Sequence, residues 1–297
     1  MNLLTLTALM VTTLFWGSSF VATKLVLEVW PTWAYMFLRF AGASLVFLAA
    51  LLWKRRLAIP RRVIPRLMLL SVFQPGLYFL FESLGLERTS AASSAIIIAA
   101  IPAVVALASA FFLNERLSRR GWIGTLLSIS GIGIITLFDR NAGTQDASLE
   151  GNLFILLAVL SGAAYMLLSR RISRDLTPLQ TTGYQMFFAT FFFLPGFIVQ
   201  GDALMHTAVQ WEILFAFGFL VLGATFAAFL SYNYALSRIS APKASIFING
   251  IPVVTVIVGW IVLGEGVNWV QIGGGALAVG GLMYASRRET GEIKLEA

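Results

Sequence analysis

The amino-acid sequence predicts an all-α, polytopic membrane protein, ten transmembrane helices laid out as a five-plus-five inverted repeat. Three observations lead there. The 297 residues are 58% apolar and only 12% charged, about half the charge of a soluble domain, and the mean hydropathy is +0.84. The apolar residues fall in blocks of about 20, the length that crosses a hydrocarbon core about 30 Å thick. The second half of the chain also repeats the first at a spacing of 150 residues. A soluble enzyme, a secreted disulfide scaffold and a disordered chain are excluded. With no cysteine and one histidine, there is no thiolate nucleophile or Cys/His metal cage, and no cofactor is expected.

Charged residues, prolines and glycines punctuate the blocks in order. Span one runs roughly Leu3 to Thr23 before Lys24, span two Trp33 to Trp53 between Pro31 and Lys54, and span three Arg66 to Leu86 before Glu87. Span four covers Ser90 to Leu113 before Asn114, span five Gly121 to Phe138 before Asp139, and span six Gly151 to Leu168 before Arg170. Span seven covers Thr181 to Val199, span eight Trp211 to Leu236 before Arg238, span nine Ala241 to Leu263 before Glu265, and span ten Trp269 to Ser286 before Arg287. The first block lacks a small-residue cleavage pattern and is followed by nine others, so a retained helix is expected rather than a cleaved signal.

Charge placement tests the count. Connections after even-numbered spans, with the C-terminal tail, hold seventeen of the 21 basic residues, among them Lys54, Arg55, Arg56, Arg119, Arg120, Arg170 and Arg171. The opposite face holds Lys24, Arg88 and Arg140 among acidic residues such as Glu28, Glu87, Glu150 and Glu265. The positive-inside rule then puts both termini in the cytoplasm. The pI near 10 is thereby a topology signal, and no nucleic-acid partner is expected.

Shifting the chain by 150 residues superposes Arg88 on Arg238, Ser90 on Ser240, Ile101-Pro102 on Ile251-Pro252, Glu115 on Glu265, Gly124 on Gly274 and Gly131 on Gly281. Each repeat has an odd number of spans, so the halves, 1–145 and 146–297, cross the membrane in opposite senses. Pro102 and Pro252 lie near the middle of spans four and nine, where each removes a backbone donor and frees a carbonyl a turn earlier. Such helix kinks either expose backbone to a cavity or are repaired by neighbouring helices.

These residues resemble a family. Phe15-Trp16-Gly17-Ser18-Ser19-Phe20, Leu38-Arg39-Phe40, Ala95 to Pro102 followed by Leu113-Asn114-Glu115, and Ile251-Pro252 followed by Leu263-Gly264-Glu265 resemble the EamA family of the drug/metabolite transporter superfamily. The overall look is most similar to its bacterial aromatic and neutral amino-acid exporters. The resemblance covers nearly the whole chain and implies a ten-helix inverted-repeat transporter whose relatives export amino acids and other small metabolites.

Polar and aromatic strips mark the expected path. Thr12, Trp16, Ser19 and Thr23 share one face of span one, and Gln74, Tyr78 and Glu82 follow at i+4 steps on span three. Span six aligns Ser161, Tyr165 and Ser169, span eight ends in Tyr232, Asn233 and Tyr234, and span nine offers Ser245 and Asn249. In lipid such strips turn inward, to bond another helix or to line a watery path. The expected substrate-binding set is Trp16, Ser19, Tyr78, Glu82, Ser94, Tyr165, Tyr232 and Asn249. No catalytic residue and no metal site is expected. Glu82 and Arg39 are the ionisable groups clearly inside the spans. At 1.5 Å per residue they lie about 8 and 9 Å in from the same face, so they are expected to pair, as a structural pair or gate or as a proton relay. Lys243 either attracts a carboxylate or snorkels. Glu115 and Glu265 are expected to complement the N-terminus of the helix that follows each. The glycines of spans five and ten are expected to be packing or dimer surfaces, and His206 a solvated loop residue.

The expected function is export of aromatic and neutral amino acids, or related metabolites, by alternating access around a midplane site. Drugs or sugar derivatives on the same fold are the alternative cargo. The expected partners are that small molecule and the lipid bilayer, with the chain a monomer or weak dimer.

Overall fold

The computed structural model describes residues 3–112, 118–138, 148–169, 176–207, 210–236, 238, 247 and 249–286, and regular structure among them is helical throughout. The helices are α1 (Leu3–Leu27), α2 (Thr32–Trp53), α3 (Arg61–Leu86), α4 (Ala91–Phe111), α5 (Arg119–Phe138), α6 (Leu149–Ser169), α7 (Pro178–Met205), α8 (Trp211–Ala235), α9 (Ile251–Leu263) and α10 (Trp269–Ser286). The first eight are each long and apolar enough to cross a membrane, and α9 is a shorter apolar helix.

Backbone hydrogen bonding explains why helices form and where they stop. Hydrocarbon offers no water, so a spanning segment satisfies its peptide groups internally. The helix then continues past the apolar block until a polar side chain or a glycine takes over. Thus α1 extends through Lys24 to Leu27. The start of α7 is set by Thr177 and Gln180, whose side chains accept each other's backbone N–H in a capping box, with Pro178 in the first turn. Ser90 caps α4 through the Ser93 N–H, and α9 ends where Gly264 adopts a left-handed φ of 67°.

Three of these helices are interrupted, and a fourth starts at a matching turn. In α3, wide π-type turns span Val72–Leu77 and Gln74 leaves helical geometry altogether, at φ −146° and ψ 121°. In α8, π-type turns span Phe219–Ala227. The α4 helix runs Ala91–Ile98, turns at Ala99 and Ala100, and restarts as Ile101–Phe112 with Pro102 in its first turn. A turn at Asn249 and Gly250 likewise precedes α9, with Pro252 in its first turn. Shifting by 150 residues carries the break of α3 onto that of α8 and the turn of α4 onto that of α9.

Packing obeys the same relation. The α2 helix packs on α7 and α5 on α10, α1 packs on α8 and α9, and α6 packs on α3 and α4. Exchanging α1 with α6, α3 with α8 and α4 with α9 maps this set onto itself, as two repeats related by a twofold require. The α5–α10 seam shows the antiparallel sense directly. A Cβ at Gly124 would lie 2.4 Å from the Gly281 carbonyl oxygen, and one at Gly131 2.4 Å from that of Gly274. These glycines therefore join the two halves of one chain, which settles their expected role as packing rather than dimer surfaces. Gly133, Gly273 and Gly280 face open space.

The most deeply buried large side chains include Tyr35, Met36, Phe40 and Phe47 of α2 and Phe193 of α7, with the Phe40 and Phe193 rings stacked at 5.4 Å. Leu45, Val199 and Phe215 lie on the outside of the bundle, where lipid covers them. Trp53, Trp211 and Trp269 are exposed at helix ends, the level of a membrane interface.

Gly131→Ala is expected to lower the thermal stability of the detergent-purified protein by about 1–3 kcal/mol through overpacking, while Gly133→Ala has no such effect. Equal melting temperatures for the two variants would contradict the seam.

Candidate functional site

The breaks in α3 and α8 free backbone carbonyls at mid-helix, and side chains from the repeat-related helices reach them. The Ser161 hydroxyl of α6 donates to the Phe73 carbonyl at 2.8 Å. On the other side, Trp16 Nε1 of α1 donates to the Ala224 carbonyl at 3.2 Å and the Thr12 hydroxyl to the Ala228 carbonyl at 3.2 Å. Non-helical backbone at membrane depth is tolerated where protein covers it or a cavity receives it. These three donors supply the cover, and the polar strips of α1 and α6 thereby acquire a structural task. The same strip carries Ser19, whose hydroxyl donates back to the Trp16 carbonyl, and Thr23, which shares a hydrogen bond with the Tyr35 hydroxyl.

Arg39 and Glu82 do not form the direct ion pair expected of them. Arg39 is fully buried, its Nε donating to the Thr225 hydroxyl at 3.1 Å and its Nη1 to the Tyr35 hydroxyl at 2.9 Å. Its guanidinium also lies 4.7 Å from the centre of the Phe79 ring, a cation–π contact strengthened by the absence of water. Glu82, one turn along α3 from Phe79, accepts instead from the Tyr78 hydroxyl at 3.5 Å. Similar depth does not make an ion pair here because hydroxyls and a ring already solvate the guanidinium. Gln74, expected on one stripe with Tyr78 and Glu82, is separated from them by the break in α3.

A second cluster is aromatic. The Trp16 ring lies 5.1 Å from Tyr232 and 5.0 Å from Phe229. The Tyr165 hydroxyl accepts from Gln185 Nε2 at 3.2 Å, and Asn233 Nδ2 donates to the Thr182 hydroxyl at 2.8 Å. Of the predicted set, the structure thus groups Trp16 with Tyr232, and Tyr78 with Glu82, while Tyr165 bonds Gln185 of α7. Ser94 is buried and donates to the Ser90 carbonyl one turn back. Asn249 sits in the turn before α9. Ser245, Lys243, Glu115 and the Ser169 side chain lie outside the described residues. His206 is exposed at the C-cap of α7.

The sequence reading missed Tyr35, Thr225 and Gln185. Tyr35 carried a usable signal, since it lies one helical turn before Arg39 and i,i+4 neighbours meet. Thr225 is the polar residue of the apolar α8 break, and only the packing of α8 against α2 brings it to Arg39.

Glu265 also departs from expectation. It does not cap α10, whose first turn is closed by Asn268 Oδ1 accepting the Gln271 N–H at 2.9 Å. Glu265 instead accepts the Ala91 N–H, the first of α4, at 3.0 Å and the Lys24 ammonium at 2.7 Å. Lys24 donates as well to the Thr89 carbonyl, and Gln271 Nε2 to the Ser90 and Ser93 hydroxyls. The left-handed turn at Gly264 carries Glu265 to the opposite repeat, where the positive end of α4 and Lys24 hold it together.

Residues 3–137 and 149–287 each match the EamA-like transporter family. The uncharacterized transporter YetK of Bacillus subtilis (strain 168) is 28% identical over 274 residues, covering 90% of this chain and 82% of its own. A probable terminal-alkyne amino-acid exporter of Streptantibioticus cattleyicolor is 27% identical over 289 residues, covering 96% and 94%. A crystal structure sharing 20% identity superposes with a TM-score of 0.64 over 94% of both chains.

Lys24→Met and Glu265→Gln are each expected to destabilise the protein by about 2 kcal/mol, because each takes a charge-assisted hydrogen bond from a largely buried partner. The double variant is expected to lose less than the sum, measured by thermal unfolding as a double-mutant cycle. Strict additivity would show that the pair carries no coupling.

Proposed function

The chain belongs to the EamA-like transporter family, and from that premise we propose that it exports aromatic and neutral amino acids, or related small metabolites, across the bacterial inner membrane. Transport is by alternating access between the halves 1–145 and 146–297, with both termini cytoplasmic and the chain acting as a monomer or weak dimer. One observation carries the reading: Trp16, Tyr78, Glu82 and Tyr232 lie beside paired helix breaks contributed by both repeats. Broken helices meeting near the midplane are where inverted-repeat carriers place their sites. Aromatic rings there suit a small planar or zwitterionic solute, stacking on its apolar part while a polar edge bonds its charged part. The amino-acid class draws support from the name of the Streptantibioticus relative, and direction from the same source. The asymmetry of basic residues supports the orientation. Drugs or sugar derivatives are the second reading, favoured by the breadth of the superfamily that the sequence resembles.

The test is counterflow into liposomes containing the purified protein, with labelled neutral, aromatic, basic and acidic amino acids. Accumulation of phenylalanine, methionine or threonine is the expected result, and no counterflow of any amino acid would reject the substrate class. Trp16→Ala and Tyr78→Ala are each expected to slow transport by at least about tenfold, the loss of roughly one aromatic contact, while membrane insertion is unchanged. Wild-type rates in both variants would remove these rings from the path.

A further inference from the structure

We infer that Glu82 is the receptor for the protonated amine of the transported solute, with the Tyr78 ring beside it as the surface on which that cation rests. This deepens the transport reading and rests on it. Glu82 is 5% exposed, and its hydrogen bond with Tyr78 is 3.5 Å long, at the weak limit of such bonds. A carboxylate has two oxygens and about four acceptor sites, so most of its capacity is unused. The ionised form of an acid held this way away from water is costly unless a cation meets it. The same fold displays what a structural acid looks like: Glu265 is closed by Lys24 at 2.7 Å and by the Ala91 N–H at 3.0 Å. The nearby Arg39 attracts Glu82, yet Thr225 and Tyr35 take its Nε and Nη1, and Phe79 lies against its plane.

The internal repeat supplies a control. Extending the 150-residue shift along α3 sets Tyr232 of α8 at the register of Glu82, and Ala228 at that of Tyr78. The α8 helix carries an equivalent break and packs in the equivalent position with no acid there. The helix architecture therefore does not require Glu82. A protonated amine matches what Glu82 offers, because it donates up to three charge-assisted hydrogen bonds and is attracted to the face of a tyrosine ring. The Tyr78 ring is held for that contact by close packing on α6, where a Cβ at Gly162 would lie 3.3 Å from its Cδ2. Amino acids and amine-bearing drugs both present this group, whereas a solute carrying only a carboxylate would be repelled.

Binding of four compounds sharing one ring, phenylalanine, phenethylamine, 3-phenylpropionate and N-acetylphenylalanine, to the purified full-length protein tests the assignment. Wild type is expected to bind phenylalanine and phenethylamine at least about tenfold more tightly than the other two. Glu82→Gln is expected to lose that preference and Glu82→Asp to keep most of it, with elution as a folded species checked for each. Equal wild-type affinity for N-acetylphenylalanine or 3-phenylpropionate would overturn the inference without any variant, as would failure of both amines to bind. Amino-acid counterflow unchanged by Glu82→Gln would overturn the role of Glu82 and leave the transport reading standing. Glu82-dependent binding of phenethylamine, with no counterflow of any amino acid, would uphold the amine receptor and replace amino acids by amine drugs.

Discussion

Every peptide group placed in hydrocarbon must find its hydrogen-bond partner within the protein, and the rest of this structure depends on that constraint. It makes the regular structure of the described residues helical throughout. It also sets the terms on which a helix can break. Where α3 opens at Phe73 and Gln74, Ser161 meets the freed carbonyl; where α8 opens, Trp16 and Thr12 do. A carrier needs irregular backbone at its centre so that segments can move against each other, and lipid forbids it unless neighbours cover the exposed groups. The two demands meet in side chains donated by α1 to α8 and by α6 to α3, so each half of the chain completes a helix of the other.

That exchange is why the twofold relation matters energetically as well as descriptively. The glycines of α5 and α10 bring two backbones close enough that a methyl group would not fit, and close packing of small residues is a main source of helix association where burial against lipid offers little gain. Glu265 reaches from the second half to Lys24 and the start of α4 in the first. Function is expected where the repeat relation fails, since packing alone is served by equivalent residues. Arg39, Tyr78 and Glu82 lie in the first half, and the register of Glu82 in the second holds a tyrosine. An asymmetric charge on a symmetric frame gives the proposed path a polarity that the frame itself lacks.

Much of the architecture was legible because apolarity and charge are one-dimensional signals. Blocks such as Trp33 to Trp53, bounded by Pro31 and Lys54, come within a residue or two of α2. The repeat was legible because Pro102 and Pro252 fall in register, and both start new helical segments after a turn. The break at 219–227 was not, since Phe219 to Ala227 contains neither proline nor a charge and nothing in its composition separates a π-type turn from an α-turn, whereas the break at 72–77 carried a usable signal in Pro75 and Gly76. Partnerships across the fold were least legible. Arg39 and Glu82 shared a depth, but depth does not reveal that Thr225 and Tyr35 reach the guanidinium first. Glu265 preceded α10 in sequence and bonds α4 instead, because three-dimensional neighbours override chain order once Asn268 has closed the α10 terminus.

The chain contains no cysteine, so one cysteine placed on the proposed path can be read without background. The measurement that tests alternating access most directly is the reaction of Ser19→Cys with a membrane-impermeant thiol reagent, applied to right-side-out and to inverted vesicles with and without transported solute. The account predicts labelling from both sides, with solute shifting the two rates in opposite directions as the halves exchange which side is open. Labelling from one side under every condition, or from both sides at rates that solute leaves unchanged, would contradict it.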